Sequence, residues 1–109
     1  MTDHLPYDVE SWEIVAQVPD LRVVVFTLAP GQCVPWHIHT EITDKFFCLQ
    51  GRMQVEHHGD LETAELAVGD RYVVPPGIPH RVSGVDGQGC QFAIVQGIGT
   101  YDFVPVNDH

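Results

Sequence analysis

The chain has 109 residues, 44% of them hydrophobic, which suits one folded domain and argues against intrinsic disorder. Its 5 basic and 15 acidic residues give a formal net charge of −10, which argues against a nucleic-acid partner and against an anionic membrane surface. No apolar run approaches the roughly 20 residues that span a bilayer, and the first residues are acidic where a secretory signal is basic. We therefore expect a cytoplasmic protein, and three cysteines without a CxxC pair agree with reduced thiols.

Short segments rich in Val, Ile, Phe and Tyr follow one another along the chain and predict β-strands. In chain order they are SWEIVAQV, LRVVVFTL, VPWHIH, KFFCLQ, RMQVEHH, LETAELAV, RYVVP, HRVSG, CQFAIVQG and YDFVPV. Turn-forming pairs such as Pro30-Gly31, Gly69-Asp70 and Pro76-Gly77 separate them. Many short strands without helical periodicity predict an all-β domain, either a sandwich or a barrel.

Two histidines and two acids follow one another closely around the third and fourth predicted strands. His37 and His39 lie two residues apart, and Glu41 and Asp44 come soon after them. Because side chains alternate along a strand, the two imidazoles share one face. Imidazole and carboxylate groups are ligands of divalent transition metals. The segment therefore indicates half of a metal site, and the other half has to come from elsewhere in the chain.

A second segment, GDRYVVPPGIPHRVSG at residues 69–84, supplies a third histidine. Together the two segments resemble the two motifs of the cupin superfamily, with every spacing met. The first motif, residues 31–51, consists of Gly31, His37, His39, Asp44 and Gly51. The second motif, residues 69–84, consists of Gly69, Pro75, Gly77 and His80. The resemblance implies that residues 1–109 form a single cupin domain, a jelly-roll barrel of two antiparallel sheets.

The resemblance also implies a cofactor, one divalent transition metal among Fe, Mn, Ni, Cu and Zn. The ligands that it implies are His37, His39, Asp44 and His80. The family usually has glutamate where this chain has the shorter Asp44, so Asp44 either ligates the metal or holds a ligand in place. Glu41 is the rival carboxylate, because its spacing puts it on the same strand face as the histidines.

Further side chains are candidates for a pocket beside the metal: Glu41, Phe46, Cys48, Tyr72 and Gln91. Phe46 and Cys48 share a strand face with Asp44, and the alternative for both is simple core packing. The segment KFFCLQ is apolar on both faces and needs cover on each. Small cupins typically dimerise, so we expect a homodimer.

In the cupin family, sites of this kind serve dioxygenases, and isomerases or lyases that hold an enolate at the metal. The resemblance thus implies a metal-dependent enzyme acting on a small, oxygen-rich organic molecule. The alternative is a non-catalytic barrel that binds a small ligand or acts as a sensor, with a structural metal. The sequence offers no second catalytic pair outside the predicted ligand set, so the metal would have to support most of the chemistry.

Overall fold

The computed structural model describes residues 5–58 and 62–107. The strands are β1 Ser11–Val18, β2 Leu21–Leu28, β3 Cys33–Ile38, β4 Thr43–Gly51, β5 Met53–His57, β6 Ala64–Leu66, β7 Arg71–Val74, β8 His80–Gly84, β9 Cys90–Gly97 and β10 Val104–Pro105. A 3-10 turn, Val85–Gly87, joins β8 to β9, and these described ranges contain no α-helix. The prediction of an all-β fold is confirmed. Across the same ranges, no helix has the length and apolar character needed to cross a bilayer.

Two predicted strands are much shorter in the structure than in the sequence prediction. LETAELAV is reduced to the three residues of β6, and its Leu61 lies outside the described residues. YDFVPV is reduced to the two residues of β10. Both strands lie at the edge of a sheet and have one partner each, and Pro105 has no N–H to extend the pairing. β-propensity alone does not show where pairing stops.

The ten strands form two antiparallel sheets of five. Sheet 1 has the order β1-β2-β9-β4-β7, and sheet 2 has the order β10-β3-β8-β5-β6. Strands that follow one another in the chain, such as β2, β3 and β4, therefore lie in alternate sheets. This topology brings β3 and β8 of sheet 2, which carry His37 and His80, opposite β4 of sheet 1.

Sheet 1 shows most clearly how alternation fills the core. Strands β2 and β9 pair without a break from Leu21↔Gly97 to Leu28↔Cys90. Their alternate residues, Phe26 and Phe92 among them, are buried against Val55 and Val82 of sheet 2. Burial of each large apolar side chain stabilises the fold by about 1.5–3 kcal/mol. At one end of these strands the inward positions become polar, and the candidate site lies there.

Candidate metal centre

The four predicted ligands come from both sheets and meet at one end of the core. His37 lies on β3 and His80 begins β8, where the two are direct cross-strand partners. His39 follows β3, and Asp44 lies on β4 of the opposite sheet. All four side chains are buried, and one ligand atom from each lies within 4.8 Å of the others. The fold therefore brings together residues that are up to 43 positions apart in the sequence, from 37 to 80.

A break in strand pairing sets the direction of His37. The register between β3 and β8 shifts between Val34 and His37. These two residues are three positions apart, yet both are buried, which regular alternation does not allow. The bulge changes the phase of the strand, so that His37 points inward.

A glycine turn presents His80 to the cluster. Gly77 has a φ of +81°, a conformation that residues with a side chain rarely adopt. Its N–H donates a 2.8 Å hydrogen bond to the carbonyl of His39. The turn that precedes β8 is therefore tied directly to the loop that holds the second histidine.

Each histidine is oriented by a hydrogen bond from its Nδ1 to a backbone carbonyl. His37 bonds the carbonyl of Pro35 at 2.7 Å, and His80 bonds that of Ile78 at 2.8 Å. His39 bonds the carbonyl of Asp102. A carbonyl only accepts, so Nδ1 carries the proton and Nε2 of each neutral ring is left with a lone pair. This orientation by backbone carbonyls is typical of histidines that bind metals.

The inward atoms of the cluster fit a cation. His37 Nε2 lies 3.2 Å from His39 Nε2, and Asp44 Oδ2 lies 2.9 Å and 3.0 Å from Nε2 of His39 and His80. When the rings are neutral, no hydrogen lies between these atoms, so a proton or a metal ion is needed among them. Two ligand atoms that each lie about 2.1 Å from one ion, at right angles, are about 3.0 Å apart. The donor set and its spacing therefore fit a divalent transition metal.

The charge states of the cluster favour binding of a cation. Burial, together with the neighbouring His80, lowers the pKa of His37 to about 3. Burial lowers the pKa of His39, but the hydrogen bond and charge of Asp44 outweigh it and raise that pKa above its usual value. Burial raises the pKa of Asp44, but His39 and His80 outweigh it and hold that pKa well below its usual range. At neutral pH, His37 is neutral and Asp44 is ionised, the states in which both groups ligate metals.

The family model described as the cupin domain matches residues 24–96, a stretch that contains all four cluster residues. The chain is a cupin. A comparison with curated proteins finds no match.

Solved structures share the fold of this cupin. The crystal structure of an uncharacterized conserved protein with a double-stranded beta-helix domain from Klebsiella pneumoniae has a TM-score of 0.70 and 23% identity, covering 85% of this chain and 82% of that one. KdgF from Halomonas sp. has a TM-score of 0.67 and 23% identity, covering 85% and 88%. An oxalate oxidase has a TM-score of 0.71 and 22% identity, covering 80% of this chain but 46% of that one. At these identities the similarity shows a shared double-stranded β-helix fold.

A narrow central pocket, with room for about one water molecule, adjoins the histidine–aspartate cluster of the cupin. His37, His39 and Asp44 form part of its wall, and most of the rest is apolar or aromatic. The ring of Phe103 stacks on that of His37 with 4.4 Å between centroids. The ring of Tyr101 lies 5.4 Å from that of His39, again between centroids. The segment after β9 therefore covers the cluster with aromatic rings.

The other candidate residues divide between the pocket and the rest of the fold. Phe46 lines the central pocket. Glu41 is exposed and accepts a hydrogen bond from the backbone N–H of Thr100, so it lies outside the cluster. Its side chain does not follow the alternation of the histidines because β3 ends at Ile38 and the chain turns. Asp44 is thus the carboxylate that the structure places with the three histidines.

Cys48, Tyr72 and Gln91 do not line the central pocket. Cys48 is in the apolar core, four residues along β4 from Asp44 and therefore about 13 Å away along the strand. The Tyr72 hydroxyl bonds His57 Nε2 at 3.0 Å. The side chain of Gln91 lies on the outer face of β9 and donates a 3.0 Å hydrogen bond to the Thr27 hydroxyl.

Several residues of the site are absent from the sequence prediction: Tyr7, Arg22, Gln96, Tyr101 and Phe103. Gln96 donates a 2.9 Å hydrogen bond to Asp44 Oδ1 and is in turn bonded by Arg22. Alternation does contain a signal for these two. In LRVVVFTL and CQFAIVQG, Arg22 and Gln96 share the inward face with Phe26 and Phe92. The aromatic residues come from irregular segments, for which alternation predicts no face.

Proposed function

We propose that this cupin is a metal-dependent enzyme that acts on a small, oxygen-rich organic molecule, as a dioxygenase or as an isomerase or lyase. The observation that carries the proposal is the convergence of three Nε2 lone pairs and one carboxylate oxygen on one point beside a pocket. An oxalate oxidase has the same fold, so the fold is compatible with an enzyme of this kind. The class of reaction within the proposal depends on which metal is bound.

The chain's own groups would hold and shape the site. Three imidazoles and one carboxylate suit Fe, Mn, Ni, Cu and Zn alike, and such an ion supplies Lewis acidity toward substrate oxygen atoms. Gln96 fixes the second oxygen of Asp44, which keeps the first oxygen turned toward the histidines. The rings of Tyr101 and Phe103 restrict water, which strengthens electrostatic interactions inside the pocket.

The position of the pocket favours catalysis over a purely structural metal. A structural site is closed by its four protein ligands, whereas a catalytic site keeps an open position. Here three of the four ligands also line the pocket wall, so a molecule in the pocket would contact the site directly. An ion that prefers six ligands would have two positions left for substrate atoms.

The experiment that tests this function is a measurement of metal content by plasma mass spectrometry on protein purified without a His-tag or chelator. We expect about one transition metal per chain in the wild type and loss of it in the double variant His37→Ala/His39→Ala. His57→Ala is the matched control, because His57 lies outside the cluster and bonds Tyr72. Absence of metal from the wild type even after reconstitution would contradict the proposal.

A second readout separates an enzyme from a non-catalytic barrel. His39→Ala that remains folded but loses activity marks a catalytic metal, whereas His39→Ala that unfolds marks a structural one. If the wild type contains iron, the activity is measured by oxygen uptake. If it contains zinc, nickel or manganese, isomerase and lyase activities are measured instead.

We also propose that the protein is a homodimer through the outer face of sheet 1. On that face Leu49 is 41% exposed and Val73 is 50% exposed, beside the half-buried Phe47. Apolar side chains grouped on one sheet face are typical of association surfaces. Light scattering should give twice the chain mass, and Leu49→Lys should lower it toward a single chain. A wild type with the mass of one chain would contradict the dimer.

A further inference from the structure

Arg22 has an unusual environment for a cationic side chain. It begins the inward face of β2 and is only 8% exposed. Among residues 5–58 and 62–107, no salt bridge joins it to an acidic side chain. Arg52 and Arg81, in contrast, pair with Glu65 and Glu56 on the surface. A buried guanidinium without a carboxylate costs free energy unless an anion joins it.

Neutral groups hold the Arg22 guanidinium in place. Its Nε donates a 2.5 Å hydrogen bond to Gln96 Oε1. Its Cζ lies 3.6 Å from the centre of the Tyr101 ring, a cation–π contact. These two contacts fix the orientation of the guanidinium but leave its charge uncompensated.

Arg22 lines a small side pocket, about the size of a water molecule, that adjoins the central pocket. The two pockets share Gln96 and Tyr101 in their walls. One amide group, that of Gln96, connects the guanidinium to Asp44. The separation between Asp44 and Arg22 is therefore two hydrogen bonds and one amide.

The formal charges at this end of the barrel favour an anion. A divalent ion with Asp44 leaves about one positive charge, and Arg22 adds another. Among the described residues, no ion pair joins Arg22 to the acids of the neighbouring loops; Asp102 bonds Thr40, and Glu41 bonds the backbone of Thr100. In a protein of net charge −10, this local excess of positive charge attracts a small acid.

We propose that Arg22 binds the carboxylate of the substrate, so that the substrate is a small organic acid with a second oxygen facing the histidine cluster. The inference rests on the proposed function and names the substrate class for it. The planar guanidinium suits a carboxylate, because it presents parallel N–H donors in a fixed geometry. Arg22 is a specificity-determining residue in this account.

The test is titration calorimetry of the Zn²⁺-loaded protein with pyruvate, oxalate and malonate, and with their methyl esters as neutral counterparts. We expect at least one acid to bind more tightly than its ester in the wild type. Arg22→Met should reduce that preference by about 10-fold to 100-fold, the range for a hydrogen bond to a charged group. The affinity for the ester and the Zn²⁺ stoichiometry should stay unchanged.

Two further variants keep the test decisive. Arg22→Lys retains the charge and should keep part of the preference even if Arg22→Met is poorly folded. Arg71→Met removes an exposed arginine of the same sheet and should leave the preference unchanged. Equal weakening of acid and ester by Arg22→Met would overturn the proposal and make Arg22 a positioning residue for Gln96.

The remaining outcomes separate this inference from the proposed function. A preference for the acid that survives Arg22→Met, or no binding of any acid, overturns the role of Arg22 while the metal site stands. Conversely, failure to bind any metal, together with an Arg22-dependent preference for acids in the metal-free protein, overturns the proposed function but supports the binding of a carboxylate by Arg22.

Discussion

The two ends of the core are built from the same strands but differ in chemistry. One end, called the metal end, holds the histidine–aspartate cluster. At the metal end, β2 and β9 contribute the buried polar residues Arg22 and Gln96. At the far end, they contribute Leu28 and Cys90, which pack with Met53. Apolar burial is the dominant favourable term in folding, whereas buried polar groups stabilise a fold little unless they are paired. We therefore expect stability to depend mainly on the far end and ligand chemistry to depend on the metal end.

The largest effect on stability should come from the far end. Met53 is completely buried, and Met53→Ala should lower the free energy of unfolding by about 2–5 kcal/mol because it leaves a cavity. Urea unfolding of the metal-free protein measures this. Val68→Ala, at an exposed position, should stay within about 0.5 kcal/mol of the wild type. If the Met53→Ala variant folds but no longer binds metal, the far end also controls ligand chemistry, which contradicts the proposed separation of the two ends.

Removal of a ligand should have the largest effect at the metal end. His80→Ala should weaken metal affinity by more than about 100-fold, because loss of a group that only positions a ligand already costs about 10-fold to 100-fold. Competition with a chromophoric chelator measures the affinity, and far-UV circular dichroism checks the fold. Wild-type affinity in His80→Ala would show that the metal lies elsewhere.

A smaller effect should follow from loss of the group that orients Asp44. Gln96→Leu removes the 2.9 Å hydrogen bond to Asp44 Oδ1, and we expect a loss of metal affinity of about 10-fold to 100-fold. Gln91→Leu, on the same strand but facing Thr27, is the matched control and should bind metal normally. If both variants bind metal equally well, Gln96 does not support the site.

The stabilisation of the protein by bound metal should decrease as the pH falls. Burial lowers the pKa of His39, but Asp44 outweighs it and raises that pKa, so a proton competes with the metal there as the pH falls. In the metal-free protein, this proton stabilises the fold below about pH 6.5, and the stabilisation is lost as the pH rises through the raised pKa. The rise in melting temperature on metal loading should therefore shrink from about pH 8 to about pH 5.5. A constant rise across that range would contradict this competition.

The sequence predicts the strands and the four residues of the cluster well because both depend on local rules. Alternation and turn residues define β2 and β9, and fixed spacings identify His37 and His80. The errors arise where those rules end. In the sequence, Glu41 has the spacing that would put it on the same strand face as the histidines. In the structure β3 ends at Ile38, so alternation no longer sets the direction of the Glu41 side chain.

The pocket lining was harder to predict because it depends on position along the barrel. Cys48 has the same parity as Asp44, but it lies in the apolar part of the core. Tyr101 and Phe103 reach the cluster from an irregular segment that no periodic pattern describes. Gln96 and Arg22 could have been found, because each is a polar residue at an inward position of an otherwise apolar strand.

The central claim is that His37, His39, Asp44 and His80 share one metal ion. Anomalous diffraction from crystals of the metal-loaded protein, collected at the absorption edge of the bound metal, tests it most directly. We predict one peak within about 2.0–2.2 Å of the Nε2 atoms of the three histidines and of Asp44 Oδ2. A metal-loaded crystal with no peak at this position, or with its peak at other side chains, would contradict the account.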